Sequence, residues 1–299
     1  MTLTEMNNRF ALPRQLIFKE GNGTLPIAEI SNAFASAAIS LYGAHVLRFQ
    51  PKGQQDFLWL SKKSSFEIGK PIRGGIPLCF PWFGPHTSDP KKPVHGFARL
   101  VMWDVVKTAS LPDGATQLVL GLHENETTKA ILPITFSVEL SVTVGKTLEV
   151  ALTATNTGSE PFTISDALHT YFNISDLSNI TIDGLGNASY YDGPTSSATQ
   201  QQAEALLAIT KEENRRYIDT TNDCLIRDKG FGRTIRAVKR GSNVTVVWNP
   251  WAESSKAIGD MHEGGYKTFI CVEAVNAYND VITLAPSASH TLAVILSAE

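Results

Sequence analysis

The sequence predicts an all-β protein, a large antiparallel β-sandwich, on three observations. Apolar and polar residues alternate without a break from Phe136 to Val144, the period of a half-buried strand. The alternation resumes at Leu148 after a turn signal at Gly145–Lys146, so the two runs read as a hairpin. Short apolar runs of strand length recur along the rest of the chain, set apart by Gly, Pro, Asn and Ser, the residues that punctuate strands.

In chain order the first such run is Ile39–Phe49, followed by Leu118–Leu122. In the hairpin, Phe136, Val138, Leu140, Val142 and Val144 face one way and Ser137, Glu139, Ser141 and Thr143 the other. Its second strand carries Leu148, Val150, Leu152 and Ala154 on the apolar face until Asn156-Thr157-Gly158 ends it. Thr195–Gln202, dense in Ser, Thr and Gln, reads as a surface loop. Gln201–Ile209, rich in Ala and Leu, is the strongest helix candidate, yet it is too short to set the fold class and reads as a connection. Val244–Trp248, Phe269–Val275 and Leu292–Leu296 complete the strand series. No fixed-period repeat, low-complexity tract or long linker divides the chain, so one domain over residues 1–299 is expected, a length that sandwiches reach.

Composition narrows the function. Hydrophobic residues at 42% supply a core, and 18% charged residues are too few for a disordered chain. The net charge of −3, from 26 basic and 29 acidic residues, offers no field for a polyanion. Nucleic acid and anionic membrane surfaces are therefore not expected partners. Cys79, Cys224 and Cys271 are odd in number and widely spaced, which fits a reducing compartment better than a disulfide framework or a zinc knuckle. The N-terminus lacks the apolar core of a signal peptide, and no run approaches membrane-spanning length. A cytoplasmic protein is expected, and a monomer, since no coiled-coil heptad is present.

Four segments carry candidate chemistry. Arg73–His86, RGGIPLCFPWFGPH, spends Gly, Pro and aromatics together, shaping a rigid concave surface on which Phe80, Trp82 and Phe83 would form flat walls for a sugar. Alone, this pattern reads more readily as a packed sandwich corner, and two arginines shift the balance. Arg73 and Arg99, the latter closing HGFARLVMW from His95 to Trp103, supply the forked donors that suit a small anion. His169 interrupts an apolar strand end in ALHTYFNIS, and Glu273 sits within FICVEAVNA, apolar on both sides. A carboxyl buried there needs a partner or a task. Such acids titrate near neutral pH, and an imidazole is their natural complement in proton transfer. Nucleotide and zinc-protease chemistries lack their usual motifs, with no P-loop, GxGxxG or HExxH.

These residues resemble the aldose 1-epimerases of galactose mutarotase-like fold, and within them the hexose-6-phosphate 1-epimerase branch. The resemblance runs through RGGIPLCFPWFG at Arg73–Gly84, HGFAR at His95–Arg99, LHTYF at Leu168–Phe172, VVWNPW at Val246–Trp251 and CVEAVNA at Cys271–Ala277. It implies a supersandwich that interconverts sugar anomers without metal or organic cofactor. It further implies His169 and Glu273 as the acid/base pair, Glu273 taking the C1 hydroxyl proton while a protonated His169 donates to O5. Arg73 and Arg99 are implied as phosphate ligands, and His95 as a donor to the ring oxygen or a hydroxyl. In the stretch Glu212–Tyr217, EENRRY, Asn214 stands where relatives usually carry an Asp that contacts sugar hydroxyls. An amide both donates and accepts, so sugar contact at Asn214 is still expected. Val94 stands where some relatives have a polar residue. Two other classes stay open on the sequence: a sugar-phosphate-binding module without turnover, and a glycoside hydrolase or lyase using a second carboxylate such as Asp166 or Asp183.

Overall fold

Two eight-stranded antiparallel sheets dominate the computed structural model, which describes residues 1–193 and 195–299. The first runs Ile180–Asp183, Cys224–Asp228, Arg233–Arg240, Ser289–Ala298, Leu148–Asn156, Phe136–Val144, Thr116–His123 and Asp104–Ser110 in spatial order. The hairpin predicted from alternation sits near its middle, with Phe136 opposite Asn156 and Val144 opposite Leu148. Every apolar position on its first strand is fully buried, while Ser137, Glu139, Ser141 and Thr143 are not.

The second sheet runs Thr199–Gln201, Ser189–Asp192, Glu213–Ile218, Val244–Asn249, Phe269–Asn276, Asp166–Leu168 and Leu78–Cys79, with Tyr171–Asn173 also paired to Phe269–Asn276. A four-stranded meander over Leu16–Pro51 and a two-stranded ribbon, Phe162–Ile164 with Ile282–Leu284, complete the strands. The Ile39–Phe49 run spans two of the meander's strands, Ala35–Ser40 and His45–Pro51, and the turn between them.

Phe269–Asn276 organises the site because all eight of its residues are buried. Side chains alternate across a strand. Ile270, Val272 and Ala274 join the main hydrophobic core, whereas Phe269, Cys271 and Val275 join smaller clusters on the other face, the face that carries Glu273. An apolar pattern on both sides thus reflects cover on both faces.

The predicted helix at Gln201–Ile209 does not form. Thr199–Gln201 is a strand, and Leu207 exchanges backbone hydrogen bonds with Ile182 at 2.8 and 2.9 Å, pinning the segment in extended form. Gln202 is buried and its Oε1 accepts from Arg215 at 2.7 Å and Tyr217 at 2.9 Å, contacts that helical propensity cannot match. Helices form instead at Leu3–Phe10, Glu126–Ile131 and Trp251–Lys256. The first has a capping box, Thr2 with Glu5, and buries Met6 and Phe10. Among the described residues no helix is long and apolar enough to cross a membrane.

Candidate active site

Five of the six residues singled out in the sequence line one cavity of about 340 Å³, within the range of small-molecule sites. Arg73, His95, His169, Asn214 and Glu273 come together there with Phe83, Trp248 and Tyr278. The cavity lies over the second sheet, where Asn214 pairs with Trp248 and Glu273 with Val246 across neighbouring strands.

His169 occupies the turn between Asp166–Leu168 and Tyr171–Asn173, and its backbone N–H donates to Pro77 O at 3.1 Å. Its Nε2 lies 3.4 Å from Glu273 Oε1. The ring stacks on Tyr171, 4.9 Å between centroids at 11°, and meets His95 and Trp248 edge-on at 5.6 and 5.9 Å. Only 8% of His169 and 2% of Glu273 is exposed, and His169 Nδ1 and Glu273 Oε2 have no hydrogen-bond partner.

Burial governs the charge of this pair. Loss of solvent drives Glu273 well above the usual carboxylate range. It drives His169 well below its usual value, reinforced by the positive charges of Arg99 and Arg73. Burial therefore favours a protonated Glu273 beside a neutral His169, the reverse of the expected carboxylate and imidazolium. Both arrangements hold one transferable proton, so passing between them changes no net charge.

Arg73 enters the cavity from the RGG turn, which is tightly packed. Gly74 has φ +112°, and a Cβ there would lie 2.3 Å from Trp59 O. Gly75 N–H donates to Trp59 O at 2.7 Å and Gly75 O accepts from Tyr171 N–H at 2.9 Å, tying this turn to the His169 segment. The guanidinium donates through Nε to Asp260 at 3.0 Å and through Nη1 to the Tyr171 hydroxyl at 3.0 Å. Tyr171 thus touches both the arginine and the imidazole.

His95 holds φ +64°, an unusual conformation for a residue with a side chain. Its Nδ1 accepts from Gly84 N–H at 3.0 Å, and burial with nearby Arg99 and Arg73 lowers it to about 3. The ring is neutral, so its proton sits on Nε2 as a fixed donor.

Arg99 departs from expectation. It is not among the residues lining the cavity: one Nη donates to Val94 O at 2.8 Å, and its buried Nε has no partner. Its charge reaches the site only through space. Phe80 and Trp82 also turn away, buried in the main core, and leave Phe83 as the wall from that segment, because its neighbours' larger gain comes from core burial. Asp166 and Asp183 lie outside the cavity, where Glu273 is the one carboxylate among the described lining residues.

Asp260 and Tyr278 escaped the sequence reading. Asp260 sits in an irregular segment with no pattern to mark it. Tyr278 has φ +62° and packs against Phe83, with the Arg216 guanidinium 4.6 Å from its ring centroid. Its position two residues beyond the buried strand was the available signal.

The chain is 33% identical over 277 residues to a Salmonella typhimurium protein provisionally named glucose-6-phosphate 1-epimerase, covering 91% of this chain and 92% of that one. An Escherichia coli protein with the same provisional name is 34% identical, over 85% and 84% of the two chains. A solved Salmonella typhimurium structure, provisionally described as a mutarotase, superposes with TM-score 0.89 at 30% identity, over 97% of this chain and 95% of that one. A galactose mutarotase related enzyme from Lactobacillus acidophilus shares the fold, with TM-score 0.74 at 16% identity over 91% and 97%. The sequence profile described as aldose 1-epimerase matches residues 26–297, and the chain belongs to the aldose 1-epimerase family.

Proposed function

We propose that this protein interconverts the α and β anomers of a hexose 6-phosphate, glucose 6-phosphate before others, with His169 and Glu273 as its proton-transfer pair. The observation that carries the reading is that pair, 3.4 Å apart and nearly dry on the wall of a cavity that also holds an arginine. Glu273 takes the proton of the C1 hydroxyl, the C1–O5 bond breaks as the C1 carbonyl forms, and O5 takes a proton from His169. Rotation about C1–C2 presents the other carbonyl face. Reclosure returns both protons, so the site is restored.

The reaction starts from carboxylate and imidazolium, the arrangement that burial alone disfavours. Sugar hydroxyls replace the hydrogen bonds that burial removed, and a phosphate brings negative charge that favours an imidazolium. His95 Nε2–H and the Asn214 amide orient the sugar, Phe83 and Trp248 supply apolar walls, and the free donors of Arg73 take the phosphate. The names of the Salmonella and Escherichia relatives support the phosphorylated substrate.

Two-dimensional exchange NMR of glucose 6-phosphate tests the proposal, with spontaneous mutarotation as the baseline. Exchange between the anomeric signals is expected to rise in proportion to protein and to exceed the gain on glucose. Saturable binding with exchange left at the spontaneous rate would make the protein a sugar-phosphate-binding module. Equal gains on both sugars would make it a general aldose 1-epimerase.

A further inference from the structure

We propose that His169, Glu273 and Cys271 form a three-ligand site for a zinc-class divalent cation, and that its occupancy blocks the proton pair. The second clause rests on the proposed function; the first stands on the placement of three donor atoms.

One ligand atom from each residue lies within 4.8 Å of the other two, and all three residues are buried. Cys271 and Glu273 are two apart on Phe269–Asn276 and so share a face. His169 arrives from the adjoining turn. Donors bound about 2.1 Å from a tetrahedral zinc lie about 3.4 Å apart. His169 Nε2 and Glu273 Oε1 already stand at 3.4 Å. A thiolate at about 2.3 Å would sit about 3.6 Å from either, so neither distance from Cys271 Sγ has to shorten by more than roughly 1.2 Å.

Chemistry selects the ion. Imidazole, thiolate and carboxylate favour zinc or cobalt over the oxygen-seeking magnesium and calcium. Binding replaces the thiol and carboxyl protons, which leave to solvent, and one thiolate plus one carboxylate cancel the charge of a divalent ion. A neutral complex suits a desolvated pocket. Independent support comes from Glu273 Oε2, buried without a hydrogen-bond partner in a residue 2% exposed. Cys271 is a free thiol with no part in the epimerisation chemistry. Metal on His169 and Glu273 ties up the lone pairs the reaction needs, leaving the cavity side open to water or a sugar hydroxyl.

The test is cobalt(II) titration of the full-length protein, followed by absorption. One cobalt per chain is expected, with a thiolate-to-cobalt charge-transfer band that zinc abolishes and excess magnesium does not. Cys271→Ser should lose the band and weaken zinc binding by at least about 10-fold, the loss seen when even an outer partner of a ligand is removed. His169→Asn keeps the thiol and should weaken uptake likewise, so the test holds if the serine variant does not fold. Absence of the band, equal zinc affinity in the variants, or equal competition by magnesium would overturn the site. Anomer exchange is measured in parallel. A cobalt-loaded protein that still catalyses exchange at the metal-free rate would overturn the claim that occupancy blocks the proton pair while leaving the metal site standing. Catalysis without any metal uptake would do the opposite.

Discussion

Arg73→Ala tests the phosphate half of the proposed function. The guanidinium spends Nε on Asp260 and one Nη1 hydrogen on Tyr171, which leaves Nη2 and the other Nη1 hydrogen for a ligand. A charge-assisted hydrogen bond is worth about 1.5–3 kcal/mol, so its loss should weaken a 6-phosphate sugar by roughly 10–150-fold. The loss is expected near the upper end, about 100-fold, because truncation also leaves the Asp260 carboxylate, 3.0 Å from Nε in the intact protein, without its cation. Arg73→Ala combined with Asp260→Asn should recover part of the loss, and Arg73→Lys, which keeps charge without the fork, should fall between. The assay is kcat/KM for glucose and glucose 6-phosphate in each protein, read as their ratio. Taking the ratio removes any general damage transmitted through Tyr171 to the His169 ring. Arg99→Ala, whose guanidinium holds the Val94 carbonyl, should lower both sugars together and keep the ratio within about 3-fold of the parent. Equal losses on both sugars in Arg73→Ala would refute the reasoning.

Two further outcomes are expected. Asn214→Ala should raise KM more than it lowers kcat, since a neutral amide binds the sugar but supplies no base, and a kcat loss of about 1,000-fold at unchanged KM would contradict this. Asp166 is 1% exposed with neither oxygen hydrogen-bonded, and burial raises it to about 8. The fold therefore holds a proton that the unfolded chain releases above about pH 4, and the stability linked to it is complete below that pH and lost as pH rises toward 8. Asp166→Asn should melt on the order of 5 °C higher than the parent at pH 8 and close to it near pH 4; parallel melting curves across that range would count against the buried-acid account.

The sheet scaffold was legible because strand periodicity is local. Phe136–Asn156 announces its pairing through alternation that burial then satisfies residue by residue. Glu273 was legible for the opposite reason, as a carboxyl where every neighbour is apolar. The failures share a cause in tertiary context. Gln201–Ile209 has helical composition, yet Leu207 and Gln202 gain more from the sheet edge and from Arg215 and Tyr217 than a short helix returns. Arg73 and Arg99 look alike in sequence, and only the fold turns one into the cavity and the other onto a carbonyl. The charge state of His169 depends on how completely water is excluded from residues far apart in the chain.

The central claim is that His169 and Glu273 move the protons. Its most direct test is the anomer-exchange rate of glucose 6-phosphate with His169→Asn and Glu273→Gln at matched protein concentration. Each variant is expected to lose about 10²–10⁴-fold in rate while its affinity for the sugar phosphate changes little. Folded variants that exchange anomers at near the parent rate would contradict the account.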